Sequence, residues 1–190
     1  GLEINATLVE NVVTFTPPLN YNGSETFTVV VGDGELAVSQ SFNVIINPVN
    51  DAPIATVGLN AMTDEDQSVS VDLSGTDVDG DNLSFYLESN GINGNVQING
   101  SVATYTPNLD FYGNDSFIYT VSDGYLTDQA EVTLSVNPVN DIPVLTFIPD
   151  QIFDEDTYQS VLILASDVES DELFYSITDG LEINTTLVEN

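Results

Sequence analysis

The chain has 190 residues, of which 31 are acidic, and it contains no Lys, Arg, His, Cys or Trp. A formal charge of −31 without internal counter-charge excludes protein salt bridges, disulfides, thiolate and imidazole metal sites, and attraction to nucleic acid or anionic membrane. A hydrophobic fraction of 42% argues against disorder, and no apolar run approaches the roughly 18 residues of a membrane span.

From the N-terminus, residues 1–46 read as the second half of a repeat. They hold Phe15-Thr-Pro17, then Glu25 ahead of an aromatic alternation through Phe27, then Gly32-Asp33-Gly34. Asn47-Pro-Val-Asn-Asp-Ala-Pro53 follows as a linker that its prolines keep extended. Residues 54–136 then form one whole repeat. Val69, Val71 and Leu73 alternate with polar residues, as do Phe117, Tyr119 and Val121, and later Ala130, Val132, Leu134 and Val136. This period-two pattern predicts strands over about 55–58, 67–73, 83–89, 95–98, 101–106, 116–122 and 129–136. The segment Asn137-Pro-Val-Asn-Asp-Ile-Pro143 is the second linker, and residues 144–190 begin a third repeat.

The repeat length is 90 residues, the offset between the two linkers. The same offset relates Phe15 to Tyr105, Gly32 to Ser122, Asp64 to Asp154, and Asp77-Val-Asp79 to Asp167-Val-Glu169. Seven short strands per repeat, punctuated by Asn-Gly, Asp-Gly and Pro, predict an all-β chain of tandem antiparallel Greek-key sandwiches. A larger unit is also legible. Gly1–Asn11 reappears as Gly180–Asn190 with one difference, Ala6 against Thr185, which implies a unit of two modules. The half-repeats at the two ends are expected to complete each other, along one chain or between neighbouring copies.

The acids gather at turns and linkers. Asp64-Glu65-Asp66 precedes a strand, Asp77-Val-Asp79-Gly80-Asp81 lies between two strands, and Asn50-Asp51 and Asn140-Asp141 belong to the linkers. Solvated loops favour Asp, Asn and Gly in any case. Recurrence at one offset in a chain without basic residues favours calcium, which takes six to eight oxygen ligands.

The Asn-Asp-Ala-Pro linker, Asp-Glu-Asp, Asp-Val-Asp-Gly-Asp-Asn-Leu and Tyr-Thr-Pro-x-x-x-Phe-Tyr-Gly-x-Asp-Ser-Phe together resemble the bacterial cadherin-like, or Ig-like tandem, repeats of large surface adhesins. The resemblance covers the whole chain. It implies calcium at each junction, held by the preceding module, the linker and the following module. Carried over, the later junction uses Glu65, Asp115, Asn140, Asp141, Asp167 and Glu169. The earlier one uses Glu25, Asn50, Asp51, Asp77, Asp79 and Asp123. The chain departs from animal cadherins in lacking the second Asn of the linker, and in the third repeat it carries Glu169 and Ser170 in place of Asp and Gly.

The implied role is a calcium-rigidified structural repeat of a long adhesin or fibre, extracellular or on a bacterial cell surface. Its partners are neighbouring repeats or identical copies, with no membrane insertion. Lacking a leader pattern and an initial Met, the chain reads as an internal piece of a longer protein. The alternative is a carbohydrate- or partner-binding module, for which only Tyr112 and Tyr125 are loose candidates. Catalysis is not expected, because an active site has no reason to recur every repeat and no Ser has a His or Lys base. Of six glycosylation sequons, Asn5 and Asn184 are the candidates for exposed acceptors.

Overall fold

The structure, a computed structural model, describes residues 3–178. In the first half-repeat β1 (Asn5–Val9) pairs with β2 (Val12–Thr16), and β3 (Gly23–Gly32) with β4 (Ala37–Ile46), both antiparallel. The middle repeat contains β5 (Ile54–Ala55), β6 (Leu59–Asp64), β7 (Val69–Asp72), β8 (Gly75–Thr76) and β9 (Ser84–Ser89). It continues with β10 (Gly94–Asn99), β11 (Val102–Pro107), β12 (Gly113–Ser122) and β13 (Thr127–Asn137). In the third repeat only β14 (Val144–Leu145) and β15 (Ala165–Ser166) form a ladder among the described residues.

The middle repeat is a two-layer sandwich. One sheet has the order β6-β13-β12-β9; the other comprises β10-β11-β7, with a short β5-β8 pair. That strand order is the Ig-type arrangement. Alternation makes the core: Phe117, Tyr119 and Val121 of β12 and Val132 of β13 are fully buried, as is Tyr105 of β11. Each such side chain contributes about 1.5–3 kcal/mol by leaving water. Tyr119 keeps its hydroxyl satisfied by donating to the carbonyls of Thr56 and Ser74.

Two expectations need correction. The sandwich is not wholly antiparallel, because β6 runs parallel to β13. The predicted strand at 55–58 is also only its first fragment. Gly58 takes a left-handed φ of 79°, which breaks the strand, and the chain then crosses to the other sheet as β6. Its inward residues are Leu59, Ala61 and Thr63, while Met62 points outward and is exposed. Weak inward hydrophobicity beside an outward Met conceals the period of two. The parallel register sets Asp64 against Asn137 and brings Glu65 to the linker.

Candidate metal centre at the module junctions

Glu65 is the first residue past β6. Its amide donates to the carbonyl of Asn137 at 2.9 Å, and its Oε1 accepts the Val139 amide. The residue is only 3% exposed, yet Oε2 has no partner. Asp141 and Glu169 stand beside it, and ligand oxygens of the three lie within 4.8 Å of one another. Asp141 Oδ2 and Glu169 Oε1 are likewise buried and unpartnered. Two oxygens on opposite sides of a calcium ion stand about 5 Å apart, given bonds of about 2.3–2.6 Å. The cluster therefore has the size of a calcium shell. Three crowded carboxylates in a chain without one cationic side chain are costly unless an ion compensates them.

The backbone organises the cluster from both modules. The Asp141 amide donates to Glu169 Oε2 at 3.1 Å, tying linker to third repeat, and Asn140 Nδ2 donates to the Asp141 carbonyl at 2.9 Å. Asp167 accepts the Asp171 amide at 3.0 Å and lies outside the three-residue cluster. Ser170, in the place of Gly80, keeps the left-handed turn with φ of 64°. Burial, then the charges of Glu169, Asp110, Glu65 and Asp66, push the Asp141 carboxyl above the ordinary range. A second cluster, Asp66, Asp110 and Asp141, shares that residue. Sequence reasoning did not single out Asp110. Its signal is geometric: Asp66 and Asp110 adopt φ of 58° and 57°, and the Asp110 amide donates to Asp66 Oδ1 at 3.2 Å.

The earlier junction repeats part of this pattern. The Asp51 amide donates to Asp79 Oδ2 at 2.8 Å, as Asp141 does to Glu169. Asn50 Nδ2 donates to Asp123 Oδ2 at 2.8 Å, and this bond, with the amides of Leu126 and Tyr125, lowers the Asp123 carboxyl. Asp77, Asp79 and Asp81 form a third cluster, with Asp77 Oδ2 buried and unpartnered.

Asp115 and Glu25 lie apart from these clusters. Asp115 accepts the amides of Ile92, Asn93 and Ser116 and the hydroxyl of Tyr105, all at 2.9–3.1 Å. Glu25 Oε1 accepts the amides of Glu3 and Ile4 and the Tyr21 hydroxyl. Asp115 anchors a loop of its own module through both oxygens, whereas Glu25 does so through Oε1 alone, its Oε2 being buried and unpartnered. Tyr112 and Tyr125 flank opposite ends of β12, so they make no shared platform. Asn5 is exposed on β1, and Asn184 lies outside the described residues. Among those residues no helix is long and apolar enough to cross a membrane.

Residues 50–135 match the model of a family described as a bacterial Ig domain. An integrin beta-like protein C of Dictyostelium discoideum is 30% identical over 176 residues, covering 77% of this chain. A chitinase A of Pseudoalteromonas piscicida is 32% identical over 87 residues, covering 45% of this chain. The chain spans about a tenth of the length of these curated relatives, 9% and 11%. Among solved structures, extracellular cadherin domains 1-4 of protocadherin gamma B7 superpose with a TM-score of 0.53 at 12% identity. That match covers 88% of this chain and 48% of the other, and it bears on the fold alone.

Proposed function

We propose that this chain, whose residues 50–135 match the model of the bacterial Ig domain family, is a calcium-stiffened spacer in an extracellular or cell-surface adhesin or fibre. One observation carries the reading: Glu65, 3% exposed and with one oxygen unpartnered, clusters with Asp141 and Glu169, whose carboxylates each also leave a buried oxygen unpartnered. Glu65 belongs to the middle module, Asp141 to the linker and Glu169 to the third repeat. An ion bound there ties all three together. Asp66 and Asp110 extend the centre across Asp141, with Asn140 and Asp167 in the surrounding loops. At the earlier junction Asp77, Asp79 and Asp81 offer the following module's share, with Asn50, Asp51 and Asp123 beside them. Asp115 and Glu25 shape the modules that present these acids.

Without metal the carboxylates repel and the linker is free to bend. Calcium removes the repulsion and selects the aligned arrangement, because it binds that arrangement better. The paired geometry of Asp51 with Asp79 and of Asp141 with Glu169 supports a repeated mechanical part over an active site. The separation of Tyr112 from Tyr125 weighs against a sugar-stacking surface.

The test is thermal unfolding with increasing free calcium. At free calcium 100 times Kd the bound state gains roughly 2.7 kcal/mol, which raises the melting temperature on the order of 10 °C. Glu65→Gln should bind calcium roughly tenfold more weakly, since affinity follows ligand charge, while in chelator it should melt at or above the parent's temperature, because one repelling charge is gone. Identical melting curves for the parent chain in chelator and in millimolar calcium defeat the proposal.

A further inference from the structure

The middle repeat is held between two linkers, residues 47–53 and 137–143, and tension along the chain reaches it through them. We propose that the parallel β6–β13 pair is a shear clamp, which lets the repeat carry such tension without unfolding. The inference rests on the spacer reading above, since a spacer in a fibre is pulled along its length.

The direction of pairing decides how the load falls. The chain enters β6 at Leu59 and leaves β13 at Asn137, and the two strands run the same way. Pulling on the linkers therefore drives β6 backwards and β13 forwards, so that the strands must slide past each other. The register from Leu59↔Val132 to Asp64↔Asn137 is loaded side by side, and its bonds have to fail together. Had the two strands been antiparallel, both linkers would leave from one end, and the same bonds would open one at a time.

Packing resists the slide as well. Leu59 and Ala61 pack against the core in which Val132, Leu134 and Val136 are buried. A slip of one residue turns every inward side chain outward, so the next matching register lies about 6.6 Å away. Beyond β6 the ladder continues. The Glu65 amide donates to the Asn137 carbonyl at 2.9 Å, and Asn137 Nδ2 donates to Asp64 Oδ1 at 3.1 Å. Ahead of β6, β5 pairs with β8, and the Ala55 amide donates to Asp128 Oδ2 at 2.9 Å. On its other side β13 is bonded to β12 over ten register pairs, against six with β6. Slip under load is therefore set at the β6 interface.

Pulling the same chain in two directions tests the proposal. The 190-residue chain has no cysteine, so cysteines introduced in pairs can serve as handles for magnetic tweezers. Val49→Cys with Val139→Cys pulls on the linkers, along the strands. Gln67→Cys with Val139→Cys pulls across them, at the end where β6 meets Asn137. All three positions are exposed, and both pairs leave the half-repeats outside the loaded path. If shear breaks only two more ladder bonds at once than peeling does, lifetimes at one force differ by about thirtyfold. The linker pair should outlast the other by about that factor. Equal lifetimes, or a shorter one for the linker pair, overturn the proposal. A long lifetime in calcium that vanishes in chelator also overturns it, because the resistance would then belong to the ion. The β6–β13 register contains no acid of the three clusters, so the directional difference should persist in chelator. Identical melting curves, which would end the calcium reading, would leave that difference standing.

Discussion

Glu65 and Asp115 show two ways to shelter a carboxylate in a chain without cations. Asp115 solves the problem internally. Burial pushes its carboxyl up, but the amides of Asn93 and Ser116, the Tyr105 hydroxyl and the Ile92 amide outweigh burial and hold it below the ordinary range. Stability from such a group is present above the unfolded pKa of about 3.9 and is lost as pH falls through the lower folded value. Asp115→Asn should therefore cost about 1–3 kcal/mol near neutral pH, equally in calcium and in chelator, and should flatten the acid limb of a stability titration. Urea denaturation across pH 2.5–7 would check this, and a cost confined to calcium-loaded protein would make Asp115 a ligand instead. Both acids stand out in the sequence. Which one is satisfied by the backbone depends on the loop at Ile92 and Asn93, whose course no local pattern reveals.

At the scale of elements, the β10–β11 hairpin and the β6–β13 pair position everything else. The Tyr105 ring lies flat over Gly94: a Cβ there would stand 2.3 Å from Cε2 and 2.5 Å from Cζ. The ring is fully buried and its hydroxyl is tethered to Asp115, so it has nowhere to retreat. Gly94→Ala should destabilise the middle repeat by about 1–3 kcal/mol through overpacking. This would appear as a lower urea midpoint at unchanged slope. A midpoint equal to the parent's would mean that the hairpin can slide. Strongly alternating strands such as β12 and β13 are legible from sequence, because their buried residues are large. β6 is not, because Ala61 and Thr63 face inward and its partner lies at the far end of the repeat.

For the whole molecule, the charge of −31 separates two effects that are easily confused. Monovalent salt at 1 M shortens the screening length to about 3 Å and so relieves repulsion between modules. It cannot bridge Glu65, Asp141 and Glu169. We expect 1 M NaCl in chelator to reduce electrostatic splaying without the calcium-dependent rise in melting temperature. Millimolar calcium at matched ionic strength should raise melting and narrow the size distribution seen by small-angle scattering. If NaCl alone reproduces the calcium result, the junction responds only to screening.

The sequence by itself determined the repeat length, the alternating cores, the absence of any internal cation and the recurrence of acids at both linkers. These are local or periodic properties, and neighbouring residues suffice to reveal them. Only the tertiary structure decided which acids meet. Glu65 reaches Asp141 because β6 lies parallel to β13, and Glu169 reaches Asp141 because the linker amide donates to it. Asp115, equally acidic and in the same repeat, is turned inward to Tyr105. The geometry of the cluster depends on contacts between residues more than a whole repeat apart, such as Glu65 and Glu169, so it emerges only once strand pairing has set their register.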